Sequence, residues 1–437
     1  MKILYLANIR IPTEMAYGLQ IMKMCEAFSK YKRRDTQIES RQVGNTQINA
    51  EYQRESAYSE GGNQRVSAAN IEVELIVPRK FSISELGKKD PFEYYKVEKK
   101  FKIKKLFCID LTPLNKYLGP ISFLVQALSF SIVSAIYILV QRITKKITKD
   151  DIIYGRDRLD LLFMKKPFIF EIHKLHKTLD NYISKRASKI VVITQELKKD
   201  LIGRGINENK IFVASDAVDL NLFNINKTQK GCRGELGLPL DKKIILYTGH
   251  LYKWKGVETL ALASRYLGFS SLGVSDPIPN PQSLIPNYLI VIVGGIKWYL
   301  SDFKKFVKEN DLKNVLIVGH KDYAQIPYYL GAADCLVLTG TKASETSQKY
   351  TSPMKMFEYM ASKKPIVASE LPSFKEILNQ ENCIFVESDN SEAMAIGIKK
   401  ALNDSILSKQ ISEQAFKDVQ KYTWDNRAKE ILKFITN

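Results

Sequence analysis

Cysteine is scarce and unpatterned in this chain of 437 residues: Cys25, Cys108, Cys232, Cys335 and Cys383 are odd in number, scattered, and never in a C-x-x-C spacing. That arrangement excludes a disulfide framework and a thiolate zinc site, and predicts a reducing compartment. The patterns G-x-x-x-x-G-K-[ST] and G-x-G-x-x-G are both absent, so no glycine-rich cradle for phosphate is written into the sequence. An Asp-x-Asp pair, which would fix a divalent cation on a diphosphate, is absent too. Phosphate must then be met by side-chain cations and helix ends, and neither a metal nor another cofactor is expected. A secretory leader is not expected, because the chain opens on a charged residue and a strand, MKILYLA. Basic residues are not interleaved with aromatics as in a nucleic-acid module, so nucleic acid is not an expected partner.

What the chain has in excess is positive charge. Its 66 Lys and Arg outnumber 47 Asp and Glu, a net charge of +19. The excess is uneven: residues 1–220 carry 38 basic and 25 acidic side chains, or +13, and the remainder 28 and 22, or +6. The first half should be drawn to something anionic, a membrane surface, a phosphorylated lipid or a nucleic acid, the last lacking its usual pattern. Residues 117–140, YLGPISFLVQALSFSIVSAIYILV, carry no charge and one strongly polar side chain, Gln126. The run is long enough to span a bilayer. Yet Ser122, Ser129, Ser131 and Ser134 dilute it, and it lies between two predicted strands. A buried or membrane-facing helix of its domain is the preferred reading, and a spanning helix the alternative.

The length suits two domains, and 45% apolar with 26% charged residues suits globular ones. Apolar runs predict strands at 2–7, 71–78, 151–155, 167–172, 189–194 and 210–214. A second series falls at 243–249, 289–295, 314–319, 334–340, 365–369 and 383–387, with helical stretches between. The fold class is therefore α/β: two doubly wound Rossmann-like domains, joined near residues 216–230 and facing a central cleft where strands end. Residues 32–70, rich in Arg, Gln, Asn, Ser and Glu, and 268–287, broken by prolines, read as solvated insertions. A first helix is predicted over 19–28 and a last over roughly 410–435.

The sharpest local pattern is Ser352-Pro353-Met354-Lys355-Met356-Phe357-Glu358-Tyr359-Met360-Ala361. Ser352 suits an N-cap and Pro353 the first helical position, so a helix is predicted to start here. Its free N–H groups and positive dipole end suit a diphosphate. Glu358, about one and a half turns in, can accept two hydroxyl hydrogen bonds, as from a ribose. The plain alternative is a surface helix with Lys355 and Glu358 as an i,i+3 pair. A second pattern ends a strand at Gly249 and sends His250, Lys253 and Lys255 out on a loop. Cations there can neutralise a departing diphosphate; the alternative is a solvated basic loop. His173, after the strand at 167–172, is a candidate acceptor contact or base. His176 lies three residues on, but no carboxylate or cysteine pattern completes a metal site.

Together these residues resemble the retaining GT-B glycosyltransferases of family four, the glycosyl transferases group 1, over nearly the whole chain apart from the two insertions. In that family a strand ends in Gly-Arg, with Lys-Gly five residues after the arginine. Here Gly249 and Lys255-Gly256 fit, and His250 stands in place of the arginine. The family carries two glutamates separated by seven residues; the second falls on Glu358 and the first on Tyr350. A subset has S-P-x-K-x-F-E-Y-M-A instead, and this sequence looks like that subset, which implies donor contacts from Tyr350, Thr351 and Ser352. Glu376 matches a further family position. His320 matches the strand end facing the nucleotide base, Ala217-Val218-Asp219 the linker, His173 the acceptor-side histidine, and Gly18 the loop-to-helix region approaching the diphosphate from the first domain.

The resemblance implies an acceptor-side domain at 1–220, a nucleotide-sugar domain at 221–409, and residues 410–437 packing back on the first. It implies a metal-independent retaining hexosyltransferase using a nucleotide-diphosphate sugar and a saccharide or lipid-linked acceptor, in cell-surface polysaccharide or glycolipid synthesis. Lys255, Glu358 and His173 are its catalytic candidates. Its donor contacts are Gly18, Gly249, His250, Lys253, Lys255, His320, Tyr350, Thr351, Ser352, Pro353, Met354, Lys355 and Glu358. The basic first half adds an anionic membrane surface as partner, and a cytoplasmic location at the inner face of the membrane. The competing readings are a GT-B sugar-nucleotide epimerase, a nucleotide-binding relative impaired by its departures at 250 and 350, and a basic nucleic-acid-binding protein.

Overall fold

The computed structural model describes residues 1–31, 71–81, 85–176, 178–267 and 287–436. Both expected insertions lie outside the described residues, except for Asn287, whose carbonyl accepts from Lys243 N.

The first sheet is built from β1 (Lys2–Leu6), β2 (Glu72–Pro78), β3 (Lys102–Leu106), β4 (Ile152–Gly155), β5 (Ile169–Ile172), β6 (Lys189–Val192) and β7 (Ile211–Val213). Their order is β3-β2-β1-β4-β5-β6-β7. Pairing is parallel, with Ile3 against Val73 on one side of β1 and Ile152 on the other. A central parallel strand is covered on both faces, which is why β1 reads as an unbroken apolar run and Ile3, Leu4, Tyr5 and Leu6 are all buried. β3 was not expected. Its sequence KIKKL leaves Lys102, Lys104 and Lys105 exposed on the sheet's edge, where charge discourages further pairing.

The second sheet contains β8 (Lys243–Thr248), β9 (Tyr288–Val293), β10 (Val315–Gly319), β11 (Cys335–Leu338), β12 (Ile366–Ser369) and β13 (Ile384–Val386), in the order β10-β9-β8-β11-β12-β13. Successive strand residues point to opposite faces. Leu246 accordingly joins a core with Leu336, Phe357, Met360 and Val419, while Ile245 joins one with Val337, Leu260 and Ile398.

The chain divides into two compact units: Met1–Phe92, Val97–Phe170 and Ala428–Asn437 in one, Glu93–Lys96 and Glu171–Arg427 in the other. The single last helix expected over 410–435 is two, Ser405–Val419 and Trp424–Thr436. The break has a cause: Val218 N donates to Tyr422 O at 2.9 Å, Val218 bridges to Thr423, and Thr423 Oγ1 accepts from Asn426 N to start the next helix. The uncharged run forms helix Pro120–Ile143, with one face buried and the other exposed.

Candidate functional site

In the second sheet the chain builds outward from β8 through β9 to β10, then returns to place β11 on the other side of β8. The switch between β8 and β11 opens a crevice at the carboxyl ends of the strands, the usual place for a ligand in such a sheet. The loops after the two strands touch there: Thr339 Oγ1 donates to Lys255 O at 2.5 Å. A Cβ on Gly256 would sit 3.0 Å from Gly340 O, and Gly256 has a left-handed φ of 65°. One on Gly294 would sit 2.3 Å from Gly249 O, so the two strand ends meet only because residue 294 is glycine.

Two lysines enter this crevice. Lys255 ends the 3-10 turn Lys253–Lys255, and its Nζ lies 4.1 Å from the Trp254 ring centroid. The side chain is partly exposed, yet its ammonium is surrounded closely enough that desolvation pushes its pKa down to about 8, with Asp216 pulling the other way. Lys355 is buried and has no hydrogen-bond acceptor among the described residues. Its Nζ sits 3.6 Å from the Tyr247 ring centroid, a cation–π contact, and close to Gly249. Desolvation first, then the charge of Lys255, holds its pKa well below the lysine range, against a smaller pull from Glu358. Two desolvated ammonium groups that repel one another are a receptor for an anion of more than one charge.

Glu358 lies one turn further along helix Met354–Ala361 and is buried. Tyr323 OH donates to its Oε1 at 2.9 Å. Desolvation pushes the carboxyl up to about 7, with the Tyr323 hydrogen bond and Lys355 opposing. Tyr359, next in the helix, accepts from Thr248 N at 2.8 Å and so ties the helix to the end of β8.

The start of this helix differs from expectation. Pro353 occupies the N-cap position with extended backbone, and no side chain among the described residues caps the helix. Ser352 does not cap it because its buried hydroxyl is engaged elsewhere, accepting from Asp216 N at 3.0 Å. Met356 N already donates to Pro353 O at 2.9 Å, which leaves the N–H groups of Met354 and Lys355 for another acceptor. Thr351 and Pro353 are buried and Met354 partly so. Tyr350 is committed sideways: its hydroxyl donates to Asp200 Oδ2 and lies 3.1 Å from Glu345 Oε1.

The other candidates are dispersed. His250 is partly buried with its ring 5.2 Å from that of Tyr252, and its carbonyl accepts from Tyr247 OH. Lys253 and His320 are exposed, the latter just after β10. Glu376 accepts from Gln195 N with both carboxylate oxygens, at 2.9 and 3.0 Å, and so holds the start of helix Gln195–Gly203. His173 follows β5, and its Nε2 lies 2.7 Å from Glu171 Oε1. Glu171 is buried and also accepts from Arg427 Nη2 at 2.7 Å. A carboxylate on one ring nitrogen fixes ring orientation and tautomer, which is what a base or acceptor contact requires. Gly18, in the other unit, sits buried in the first turn of helix Ala16–Lys30, which begins three residues earlier than expected. Among the described residues no group of three or more His, Cys, Asp or Glu is gathered as a metal site.

Tyr247, Tyr323 and Asp216 were not singled out by sequence. Tyr247 lies inside an apolar strand run and Tyr323 in a short turn, and only the tertiary fold brings them to Lys355 and Glu358.

Solved structures that share this architecture include GT-B glycosyltransferases, and the fold is theirs. Anabaena HepE, crystallised in complex with UDP and glucose, superposes with a TM-score of 0.64 at 16% identity over 100% of both chains. Sucrose-phosphate synthase from Thermosynechococcus elongatus gives 0.62 at 15% identity, over 100% of this chain and 98% of that one. Residues 229–418, which contain the crevice, match the family model described as glycosyl transferases group 1. An uncharacterized glycosyltransferase of Methanocaldococcus jannaschii is 27% identical over 255 residues, 56% of this chain and 58% of that protein. The aligned stretch spans between 52% and 63% of the curated relatives' length. The matches thus show a GT-B fold for the chain and a likeness of residues 229–418 to the glycosyl transferases group 1.

Proposed function

We propose that the protein is a metal-independent, retaining glycosyltransferase that moves a hexose-type sugar from a nucleotide-diphosphate sugar to a saccharide or lipid-linked acceptor. The observation that carries the reading is Lys355: a buried ammonium with no hydrogen-bond acceptor among the described residues, held beside Lys255. That arrangement is unfavourable until an anion arrives, and a diphosphate supplies the two charges. Two cations and a free helix N-terminus also do the neutralising otherwise left to a metal ion. HepE is solved with UDP and with UDP-glucose, which makes a uridine donor the first to try.

In this mechanism the bond between the anomeric carbon and the β-phosphate oxygen breaks, and its electron pair stays on the diphosphate. Lys255, Lys355 and the N–H groups at Met354 stabilise that charge as it grows. The acceptor oxygen bonds to the anomeric carbon on the same face, and its proton passes to the leaving phosphate oxygen, so configuration is retained. Glu358, oriented by Tyr323, accepts from the ribose hydroxyls. His173, held by Glu171, is assigned to the acceptor. The basic first half suits an acceptor presented at the inner face of a membrane, as in polysaccharide or glycolipid synthesis.

A thermal-shift panel of UDP, GDP, ADP and their sugar conjugates tests this. A ligand at a hundred times its Kd adds about 2.7 kcal/mol, and one nucleotide series should raise Tm in the wild type and not in Glu358→Ala. No shift with any member would sink the reading. A sugar altered without an acceptor would replace it with an epimerase.

A further inference from the structure

A helix presents every third or fourth residue on one face. In Pro120–Ile143 the inward stripe is Ser122, Gln126, Phe130, Ser134 and Ile138, with Ser131 beside it. Gln126, Ser131 and Ser134 are 0% exposed. Gln126 Nε2 donates to Asn8 Oδ1 at 3.0 Å, Ser131 Oγ to Leu159 O at 2.6 Å, and Tyr137 OH to Glu74 Oε1 at 2.7 Å. The outward stripe is Ile121, Leu124, Ile132, Ile136, Leu139 and Ile143, apolar at every step, with Ile121, Ile136 and Ile143 exposed by 61%, 55% and 71%. A helix facing water has the opposite pattern, and a continuous apolar stripe of this length marks an interaction surface.

Two facts choose what covers it. At 24 residues the helix is about 36 Å long, enough to cross a bilayer. Its inner face, however, is bonded to Asn8, Glu74 and Leu159 of its own unit, so lipid cannot surround it and only one face can enter an apolar phase. The second fact is charge. Residues 101–149 hold eight Lys and Arg against one acid, Asp110. Lys104 and Lys105 are exposed on β3, and Lys104 Nζ lies 6.0 Å from the Tyr137 ring of the helix. Lys116 is exposed just before the helix, and Lys145, Lys146 and Lys149 just after it. A second copy on this face would bring like charges together. An anionic headgroup layer over hydrocarbon satisfies both the stripe and its flanks.

We infer that this face docks the protein on an anionic lipid bilayer, the helix lying in the membrane plane with its outward stripe in the acyl boundary and its lysines among the headgroups. The inference rests on the membrane-side acceptor proposed above for its purpose, and adds the surface and its orientation.

The test uses the full chain without nucleotide, sedimented with phosphatidylcholine vesicles with or without one third phosphatidylglycerol. The wild type should bind the anionic vesicles, more weakly as salt rises. Ile132→Ser/Ile136→Ser/Leu139→Ser should weaken binding at least about tenfold, and Lys145→Gln/Lys146→Gln/Lys149→Gln about a hundredfold with a flatter salt dependence. In Ile136→Trp, added emission should shift blue on vesicles and be quenched by brominated lipid. Failure of the wild type to bind at low salt, or undiminished binding by the serine variant, overturns the inference. So does a wild-type dimer in solution that the serine variant dissolves, which would make a second copy the occupant. The nucleotide-sugar shift in Tm separates the two proposals: retained in a variant that has lost vesicle binding, it shows a folded protein; absent from a wild type that binds vesicles, it sinks the transferase reading alone.

Discussion

Helix Pro120–Ile143 and helix Met354–Ala361 reverse the usual polarity of a protein element in opposite directions. The first turns neutral polar groups inward and isoleucines outward; the second buries a lysine and a glutamate. In the first, the inward donors of Gln126 and Ser131 find acceptors, although Ser134 Oγ has no partner among the described residues, and the larger cost lies at the surface as apolar area left in water. In the second the cost is internal: the Lys355 ammonium meets an aromatic face and a like charge. The place of the cost identifies what relieves it, an apolar phase in one case and an anion in the other.

The comparison is broken most directly at the second site. Lys255→Ala should lower kcat/KM about 100- to 1000-fold, the usual consequence of removing one group that stabilises leaving-group charge, measured by release of nucleotide from the sugar donor. Lys355→Met should separate binding from stability. Nucleotide affinity should fall about tenfold or more, while the ligand-free protein should gain stability, because an amine that burial and Lys255 disfavour is replaced by an apolar side chain of similar length. Isothermal titration and urea unfolding read the two. A ligand-free protein destabilised by that change would make Lys355 a structural cation. At the first helix, Ser131→Ala should cost about 1 kcal/mol by removing the shorter of two hydrogen bonds to Leu159 O, the other coming from Leu162 N. Ile136→Ser should stay within about 0.5 kcal/mol, since its side chain is already in water. Equal losses from the two would show the outward face to be packed.

These contrasts also mark what the sequence carried. Apolar runs located every strand except β3, because a central parallel strand is apolar on both faces, whereas an edge strand such as KIKKL can be mostly lysine. The uncharged run at 117–140 was legible as a helix, but which residues faced inward depended on Asn8, Glu74 and Leu159, none of them near in sequence. Lys255, Lys355 and Glu358 stood out by motif. Their environment did not, since Tyr323, Tyr247 and Asp216 reach them only through the fold. Ser352 shows the same limit: its local setting predicts a cap, and a backbone N–H 136 residues away takes its hydroxyl instead.

A last effect is on pH, and it joins the two charged groups of the site. Lys255 must be protonated to meet a diphosphate, and its pKa is pushed down to about 8 in the free protein. Affinity should therefore fall as pH rises through that value, by about twofold between pH 7 and 8 and by up to about tenfold per unit above it. Glu358 must be ionised to accept two hydroxyl bonds, and its pKa is pushed up to about 7. Affinity should fall in the other direction as pH drops through that value. A nucleotide-diphosphate sugar has no phosphate ionisation in this range, so its Kd measured by titration calorimetry from pH 6 to 9 should give a narrow bell. Glu358→Gln should flatten the acid limb and Lys255→Arg the basic one. A profile that keeps both limbs in both variants would assign the titration to other groups and separate these residues from the bound nucleotide.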